Sequence, residues 1–302
     1  MKKYFTILSF CFISLFLNTP GFASPPIFHV GEIQIEMLVD ELGDGDASIL
    51  RGASPQTIQE YIPSGKFPLT VASSLIRTPE QLILVDTGIE ANKLGQHLSS
   101  RHIAPDDLRI VLLTHMHFDH IGGLMHEGKA FFPNATLYIS ERELAYWSDT
   151  TNISTYPEED QPAMRQHFEN VQSMLNAYQD RVATFSPAEL AENGTEILPG
   201  VNAIAAYGHT PGHTVFLLHN QNNKLLLLGD TFHVSKIQFP HPEVTLIFDV
   251  DQQQAAQTRH TLFAFAADNA IPVAGMHQGS PEYGLIKRLP EKDEGYMLEP
   301  IQ

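Results

Sequence analysis

The chain has 302 residues and is strongly acidic, because 35 aspartates and glutamates outnumber 18 lysines and arginines and leave a formal net charge of −17. This balance argues against nucleic acid and anionic membrane surfaces as partners, since their phosphates would repel the chain. The length is sufficient for one large domain with a substantial hydrophobic core.

The first 23 residues predict a secretory signal peptide. A positive start, Met1-Lys2-Lys3, precedes an apolar run that is too short for a stable membrane helix, and the small residue Ala23 suits cleavage. We therefore expect residues 1–23 to be removed and residues 24–302 to form one exported domain, periplasmic or secreted, without membrane insertion. The only cysteine lies in the leader, so the mature domain would contain no disulfide.

Residues 43–68 follow a first predicted strand with alternating apolar residues from Ile33 to Val39. The segment is punctuated by Gly, Ser and Pro but retains apolar residues such as Ile58 and Phe67. Long segments of this kind commonly carry function. We expect either a packed lid, in which Phe67 faces the substrate pocket, or a short helix at the periphery.

Periodicity predicts strands and helices that alternate along the rest of the chain. Short apolar runs predict strands at residues 70–76, 81–85, 110–113, 136–139, 201–207, 214–219, 224–228 and 271–275. Helical spacing predicts helices at residues 91–100, from residue 140, at 164–178 and at 251–268. Because the order recurs in two halves, the sequence predicts a sandwich with sheets inside and helices outside.

The stretch Thr114–Gly123 carries the densest group of metal-binding side chains, directly after the strand at 110–113. Residues two apart in extended chain face the same way, so His115 and His117 converge, while Asp119 and His120 turn towards a neighbouring position. This arrangement supplies half the ligands of two metal ions. Imidazole and carboxylate together suit zinc best.

Three further side chains stand next to predicted strands and complete this set. His213 precedes the strand at 214–219, Asp230 follows the strand at 224–228, and His277 follows the last strand. Ligands at strand ends would meet at one rim of a sandwich. We expect the neighbouring His209 to be a buried, hydrogen-bonded histidine and not a ligand.

These segments resemble the metallo-β-lactamase superfamily, whose members fold as a four-layer αββα sandwich of the α/β class. The resemblance extends to the branch that contains methyl parathion hydrolase and related lactonases and aryl esterases. It covers most of residues 70–278 through the segments 114–124, 131–135, 146–147, 208–214, 228–239 and 249–265. Resemblance alone suggests a homodimer.

The resemblance implies two divalent metal ions, with zinc as the expected metal. One ion would be held by three histidines: His115, His117 and His213. The other would be held by Asp119, His120 and His277. Asp230 would bridge both, and Asp86 would orient a ligand histidine from behind.

Two residues match the substrate pocket of the same branch. His233 stands three residues after Asp230, where related lactonases carry a tyrosine that contacts the substrate. An imidazole there would polarise a carbonyl or protonate a leaving group; the alternative is that it packs beside the loop. Trp147 matches a pocket aromatic, and its alternative is a place in the core.

These assignments predict a hydrolase of small molecules with Asp119, Asp230 and His233 as catalytic residues. A hydroxide shared by the two ions would open a lactone, an aryl ester or a phosphotriester. A thioester hydrolase of the glyoxalase II kind and a β-lactamase are alternatives, although true β-lactamases resemble this chain less because they carry Cys or Ser in place of the bridging Asp230. A zinc-dependent sensor without catalytic activity is the non-enzymatic alternative.

Overall fold

A computed structural model describes residues 26–190, 193–277, 283–290 and 295–301. The predicted signal peptide at residues 1–23 lies outside this part of the chain. Among the described helices, none combines the length and apolar character that a membrane crossing requires.

Strands and helices are numbered here in chain order. The strands are β1 (Phe28–Val30), β2 (Ile33–Asp46), β3 (Leu50–Arg51), β4 (Lys66–Arg77), β5 (Leu82–Val85), β6 (Ile110–Leu112), β7 (Met125–His126), β8 (Lys129–Ala130), β9 (Thr136–Ser140), β10 (Val182–Phe185), β11 (Thr195–Leu198), β12 (Val201–Ala205), β13 (Thr214–Asn220), β14 (Asn223–Leu227), β15 (Thr245–Leu246), β16 (Pro272–Ala274), β17 (Gly284–Arg288) and β18 (Tyr296–Pro300). The α-helices are α1 (Pro55–Tyr61), α2 (Ala91–Ser99), α3 (Phe118–Ile121), α4 (Glu141–Ser148), α5 (Gln161–Tyr178), α6 (Ser235–Gln238) and α7 (Gln252–Asp268).

Two seven-stranded sheets form the centre of the fold. The first has the order β1-β2-β4-β5-β6-β9-β10, and its strands are parallel from β5 to β10. The second has the order β11-β12-β13-β14-β16-β17-β18, in which only the β14–β16 pair is parallel among the described strands. Parallel neighbours end at the same edge of a sheet, so the loops that leave them lie side by side.

Four layers follow from the way the strands bury both faces. In β5, Ile83 and Val85 face the other sheet, while Leu84 faces the helices. In β14, Leu225 and Leu227 likewise face inward. Helices α2, α4 and α5 cover the outer face of the first sheet, and α7 covers that of the second. The predicted αββα sandwich is confirmed.

Residues 43–68 are largely regular structure. Strand β2 continues to Asp46 and pairs with the start of β4, and Ser54 caps α1 between them by accepting a hydrogen bond from the Thr57 N–H at 3.0 Å. The strand continues through its glycines. Gly45 pairs with Phe67, and the missing side chain leaves room for the Phe67 ring, because a Cβ on Gly45 would lie 2.2 Å from it. The helix alternative is therefore the one the structure contains.

Phe67 is 2% exposed and belongs to a buried cluster with Val234, Ile237 and Leu246. Its ring therefore contributes to packing between residues 43–68 and the segment around α6. The structure places Phe67 among apolar neighbours, which supports the alternative to a lid that faces the substrate pocket.

We expect Phe67→Ala to destabilise the protein by about 3–5 kcal/mol, since it removes a buried aromatic ring and leaves a cavity. The free energy of unfolding in urea measures this loss. Met297→Ala serves as a control, because Met297 is 46% exposed and its truncation should cost less than about 0.5 kcal/mol. A raised KM with unchanged stability would instead restore the lid interpretation.

Candidate metal centre

The candidate centre lies where strands of both sheets end. His115 and His117 follow β6, and Asp119 and His120 belong to the short helix α3. Gly122 and Gly123 let this helix approach the loop at 87–89 closely, because a Cβ on either would lie 2.2 Å from a backbone carbonyl oxygen. The second sheet adds His209 before β13, Asp230 after β14 and His277 after β16.

Three imidazoles and a carboxylate form the first group: His115, His117, His209 and Asp230. His117 Nδ1 lies 3.0 Å from His115 Nε2 and 3.0 Å from His209 Nε2. Asp230 Oδ2 lies 3.2 Å from His209 Nε2 and 3.6 Å from His115 Nε2.

The second group contains Asp119, His120 and His277. His277 Nε2 lies 3.3 Å from His120 Nε2 and 3.5 Å from Asp119 Oδ2. Asp230 joins the two groups, since its Oδ1 is 3.2 Å from His120 Nε2 and its Oδ2 is 3.1 Å from His277 Nε2.

Both groups fit divalent metal ions. Tetrahedral zinc with bonds of about 2.0–2.1 Å places neighbouring ligand atoms about 3.3 Å apart, which is close to the separations in both groups. The atoms are imidazole nitrogens and carboxylate oxygens, a set that suits zinc. Asp230 is placed to contribute to both ions.

The structure does not place His213, which the resemblance implied as a metal ligand, in either group. Its Nδ1 lies 3.0 Å from the Ala206 carbonyl oxygen, and its Nε2 accepts a hydrogen bond of 3.0 Å from the Asp230 N–H. Both ring nitrogens are therefore used within the protein. The backbone of His213 continues the β12–β13 ladder by one pair, since its carbonyl oxygen accepts a hydrogen bond from the Ala206 N–H at 2.9 Å. This pairing holds the His213 ring beside Ala206.

His209 occupies the place expected for His213. The sequence did not single out His209, because His209 and His213 share one loop and the position of His213 directly before the next strand favoured His213. The tertiary signal is Asp249, whose Oδ1 lies 2.8 Å from His209 Nδ1 and directs Nε2 towards the centre. A carboxylate behind an imidazole is the usual support of a metal-binding histidine.

Asp86 lies behind His120, as the resemblance implied. Its Oδ2 is 2.8 Å from His120 Nδ1, and it also accepts hydrogen bonds from the Thr114 N–H and hydroxyl at 2.8 and 2.7 Å. The residue has a φ of 57°, a strained value for a non-glycine residue that is typical of functional sites. His277 is oriented in a similar way by the Thr70 carbonyl oxygen, 2.6 Å from Nδ1.

The close packing of imidazoles and carboxylates shifts the pKa values of neighbouring histidines in opposite directions. Burial and the neighbouring imidazoles hold the pKa values of His115 and His117 well below their usual value. Burial alone would lower the pKa of His209, but hydrogen bonds to Asp230 and Asp249 outweigh it and raise the pKa to about 9. Burial alone would raise the pKa of Asp230, but the surrounding imidazoles hold it well below its usual value.

His233 lies against the centre and forms a third possible metal-holding group with Asp230 and His277. Its Nε2 is 3.1 Å from Asp230 Oδ2, and its ring stacks on His277 with centroids 4.6 Å apart. Its Nδ1 is buried and has no hydrogen-bond partner among the described residues. Burial lowers the pKa of His233 to about 4, so the imidazole is neutral near pH 7.

Two aromatic residues lie close to the candidate ligands. Trp147 is fully buried, with its ring centroid 5.7 Å from that of His117, so the structure places it in the core, which was the alternative to the substrate pocket. Phe118 was missed, although it stands between two predicted ligands. Its ring is 55% exposed and lies beside the centre, where a large apolar side chain is available to a substrate.

Comparison with known families agrees with this geometry. The family model of the metallo-beta-lactamase superfamily matches residues 67–275, so the chain belongs to that superfamily. The predicted resemblance to this superfamily is confirmed.

Two solved structures resemble the chain in fold at low sequence identity. The chain is similar to the hydrolase AbOPH, with a TM-score of 0.84, 26% identity and coverage of 94% of this chain and 99% of that one. It also shares the fold of AidC, a dizinc quorum-quenching lactonase, with a TM-score of 0.79, 24% identity and coverage of 92% and 98%.

Among curated relatives, acyl-coenzyme A thioesterase MBLAC2 of Homo sapiens is 28% identical over 53% of this chain and 57% of its own length. An N-acyl homoserine lactonase of Bacillus cereus is 23% identical over 55% of this chain and 65% of its own. The chain thus spans less than two thirds of the length of these relatives.

We expect His209→Ala to lower the zinc content from two ions per chain to one, because the first group loses a ligand that no neighbour replaces. His213→Gln should retain both ions, since its amide oxygen can accept the hydrogen bond from the Asp230 N–H. Metal analysis after dialysis against buffered zinc measures both. The reverse result would reinstate His213 as the ligand.

The pKa shifts predict that metal-free protein is most stable near pH 6.5, the ordinary pKa of histidine. His213 and His233 have folded-state pKa values of about 3 and 4, so their contribution is lost as the pH falls below 6.5. His209 has a folded-state pKa of about 9, so its contribution is present below 6.5 and lost as the pH rises through 9. Urea midpoints of chelator-treated protein across this range test the prediction, and a flat profile would contradict it.

Proposed function

We propose that the protein is a metal-dependent hydrolase that uses two divalent metal ions, most simply zinc, to open a lactone, an aryl ester or a phosphotriester. The observation that carries the proposal is the sharing of Asp230 between two complete groups of ligands. When bound, such ions polarise a substrate oxygen and lower the pKa of a water molecule to about 7. The first and second groups are the residues that would hold them.

Asp230 and Asp119 contribute negative charge at the centre. Because the pKa of Asp230 is held well below its usual value, its carboxylate stays ionised throughout the pH range in which the enzyme would work. Asp119 is the more exposed of the two, with its side chain 15% accessible, and it lies at the solvent side of the second group. A substrate would therefore approach past Asp119 and the exposed Phe118 ring.

His233 would act on the substrate as a neutral hydrogen-bond donor. Its low pKa leaves one proton on the ring near pH 7, and the short distance from Nε2 to Asp230 Oδ2 places that proton on Nε2. The same N–H donates to Asp230 in the structure, and transfer of this hydrogen bond to a bound substrate would let it donate to a carbonyl or phosphoryl oxygen. Of the two roles considered for His233, polarisation is thus favoured over protonation of a leaving group.

We expect His233→Phe to lower kcat by about 100-fold, the usual loss when one donor to a developing oxyanion is removed. The factor should be similar for good and poor leaving groups, and kcat across a series of aryl esters measures it. His233→Gln is the matched control, because its amide N–H can replace the donor. A loss confined to poor leaving groups would show that His233 delivers a proton instead.

A thioester is the second candidate substrate, favoured by the similarity to an acyl-coenzyme A thioesterase. Hydrolysis of a thioester also needs a polarised carbonyl and an activated water, so the centre described above suits both reactions. A lactone is favoured by the similarity to N-acyl homoserine lactonases.

The test is kcat/KM of the zinc-loaded protein on an acyl-homoserine lactone, an aryl ester, a phosphotriester, an acyl-coenzyme A thioester and a β-lactam. The proposal expects the lactone, aryl ester or phosphotriester to exceed the others by orders of magnitude. A preference for the thioester would establish the second candidate. Zinc binding without turnover of any of the five would favour the sensor alternative.

A further inference from the structure

Glu143 is a buried carboxylate outside both groups of ligands. It lies in the first turn of α4 and is 1% exposed. Its Oε1 accepts hydrogen bonds from the Met116 N–H at 2.9 Å and the Trp147 indole N–H at 2.6 Å. Its Oε2 accepts from the Thr210 hydroxyl at 2.7 Å and the Gly212 N–H at 3.0 Å.

Three of these four donors lie on the two loops that carry the imidazoles of the first group, and the fourth, Trp147, belongs to α4. Met116 stands between His115 and His117, and Thr210 directly follows His209. The two loops are distant in sequence, and the Thr214 N–H also donates to the Thr114 carbonyl oxygen at 2.9 Å where the segments meet. Glu143 is a single side chain that bonds to both loops beside His117 and His209, whose ring nitrogens lie 3.0 Å apart.

Neighbouring contacts hold the same loops. The Met116 carbonyl oxygen lies 2.9 Å from His167 Nε2, so both backbone polar groups of Met116 are bonded. The Ser140 hydroxyl donates to the Gly212 carbonyl oxygen at 2.8 Å. The start of α4 is thus hydrogen-bonded to the 208–213 loop through both Ser140 and Glu143.

The second group depends on other supports. His120 is oriented by Asp86, and His277 is oriented by the Thr70 carbonyl oxygen. None of the hydrogen bonds of Glu143 within the described residues reaches the loop that carries His277. The two groups therefore differ in the side chain that pre-positions them.

We propose that Glu143 is a positioning residue that sets the metal affinity of the first group and leaves that of the second group unchanged. The inference rests on the proposed two-ion centre. Without the hydrogen bonds of Glu143, the two loops are held together less firmly. Metal binding must then supply the free energy that brings the three imidazoles together. A carboxylate is required because it only accepts hydrogen bonds, whereas a glutamine would turn its NH₂ group towards donors.

The experiment measures zinc affinity of Glu143→Gln in two backgrounds, each with one group disabled. In the His277→Ala background, where the first group remains intact, the variant should bind zinc about 10–100-fold more weakly, the usual cost of losing a supporting hydrogen-bond partner. In the His209→Ala background, where the second group remains, Glu143→Gln should leave the affinity unchanged. Such a cycle isolates the coupling of Glu143 to one group.

Two further variants keep the result interpretable. Glu141→Gln is the matched control, because Glu141 lies in the same helical turn but is exposed, and it should change neither affinity. Thr210→Val removes one donor from the same carboxylate without changing charge, so it should weaken the first group alone by a smaller factor even if Glu143→Gln fails to fold.

Equal losses in both backgrounds, or no loss in either, would overturn the inference, since a merely structural role affects the two groups alike or not at all. The unmodified protein separates this failure from that of the proposed function. If it binds fewer than two zinc ions, the two-ion proposal fails and the inference fails with it. If it binds two, the cycle alone decides.

Discussion

The carboxylate of Asp230 is the constraint on which the rest of the structure depends. Its Oδ2 lies 3.1–3.6 Å from four imidazole nitrogens, which belong to His115, His209, His233 and His277. A buried carboxylate is costly unless positive charge or hydrogen bonds surround it. The fold meets this requirement by ending strands of both sheets at one edge, so that their loops converge on the same two oxygens.

The imidazoles around Asp230 are held by partners from separate parts of the chain. Asp86 supports His120 from the first sheet, and Asp249 supports His209 from the segment before α7. Asp249 lies in turn 3.8 Å from the buried guanidinium of Arg259, which also donates to the carbonyl oxygen of Thr231, the residue after Asp230. The folded chain therefore pre-organises the candidate ligands, so binding of the proposed ions would be coupled to folding.

The family explains the general chemistry, while the substrate depends on the surroundings of the centre. In the proposed function, the neutral imidazole of His233 and the exposed ring of Phe118 are the groups that would contact the substrate. The apolar ring favours a substrate with an apolar part, and the donor favours one with a carbonyl or phosphoryl oxygen. Trp147 lies in the core, where its ring packs edge-to-face against that of His117.

The sequence by itself, through strand periodicity, the dense stretch around His115 and the resemblance that these segments carry, predicted the four layers and six of the residues that the structure brings together in the two groups. Only the tertiary structure chose His209 over His213, since the choice depends on which ring nitrogens are bonded to Ala206 and Asp230. Phe67 was misplaced for the same reason: its packing partners lie about α6, far along the chain. Local pattern predicts which elements form, whereas the direction of a buried side chain depends on partners that only the fold brings near.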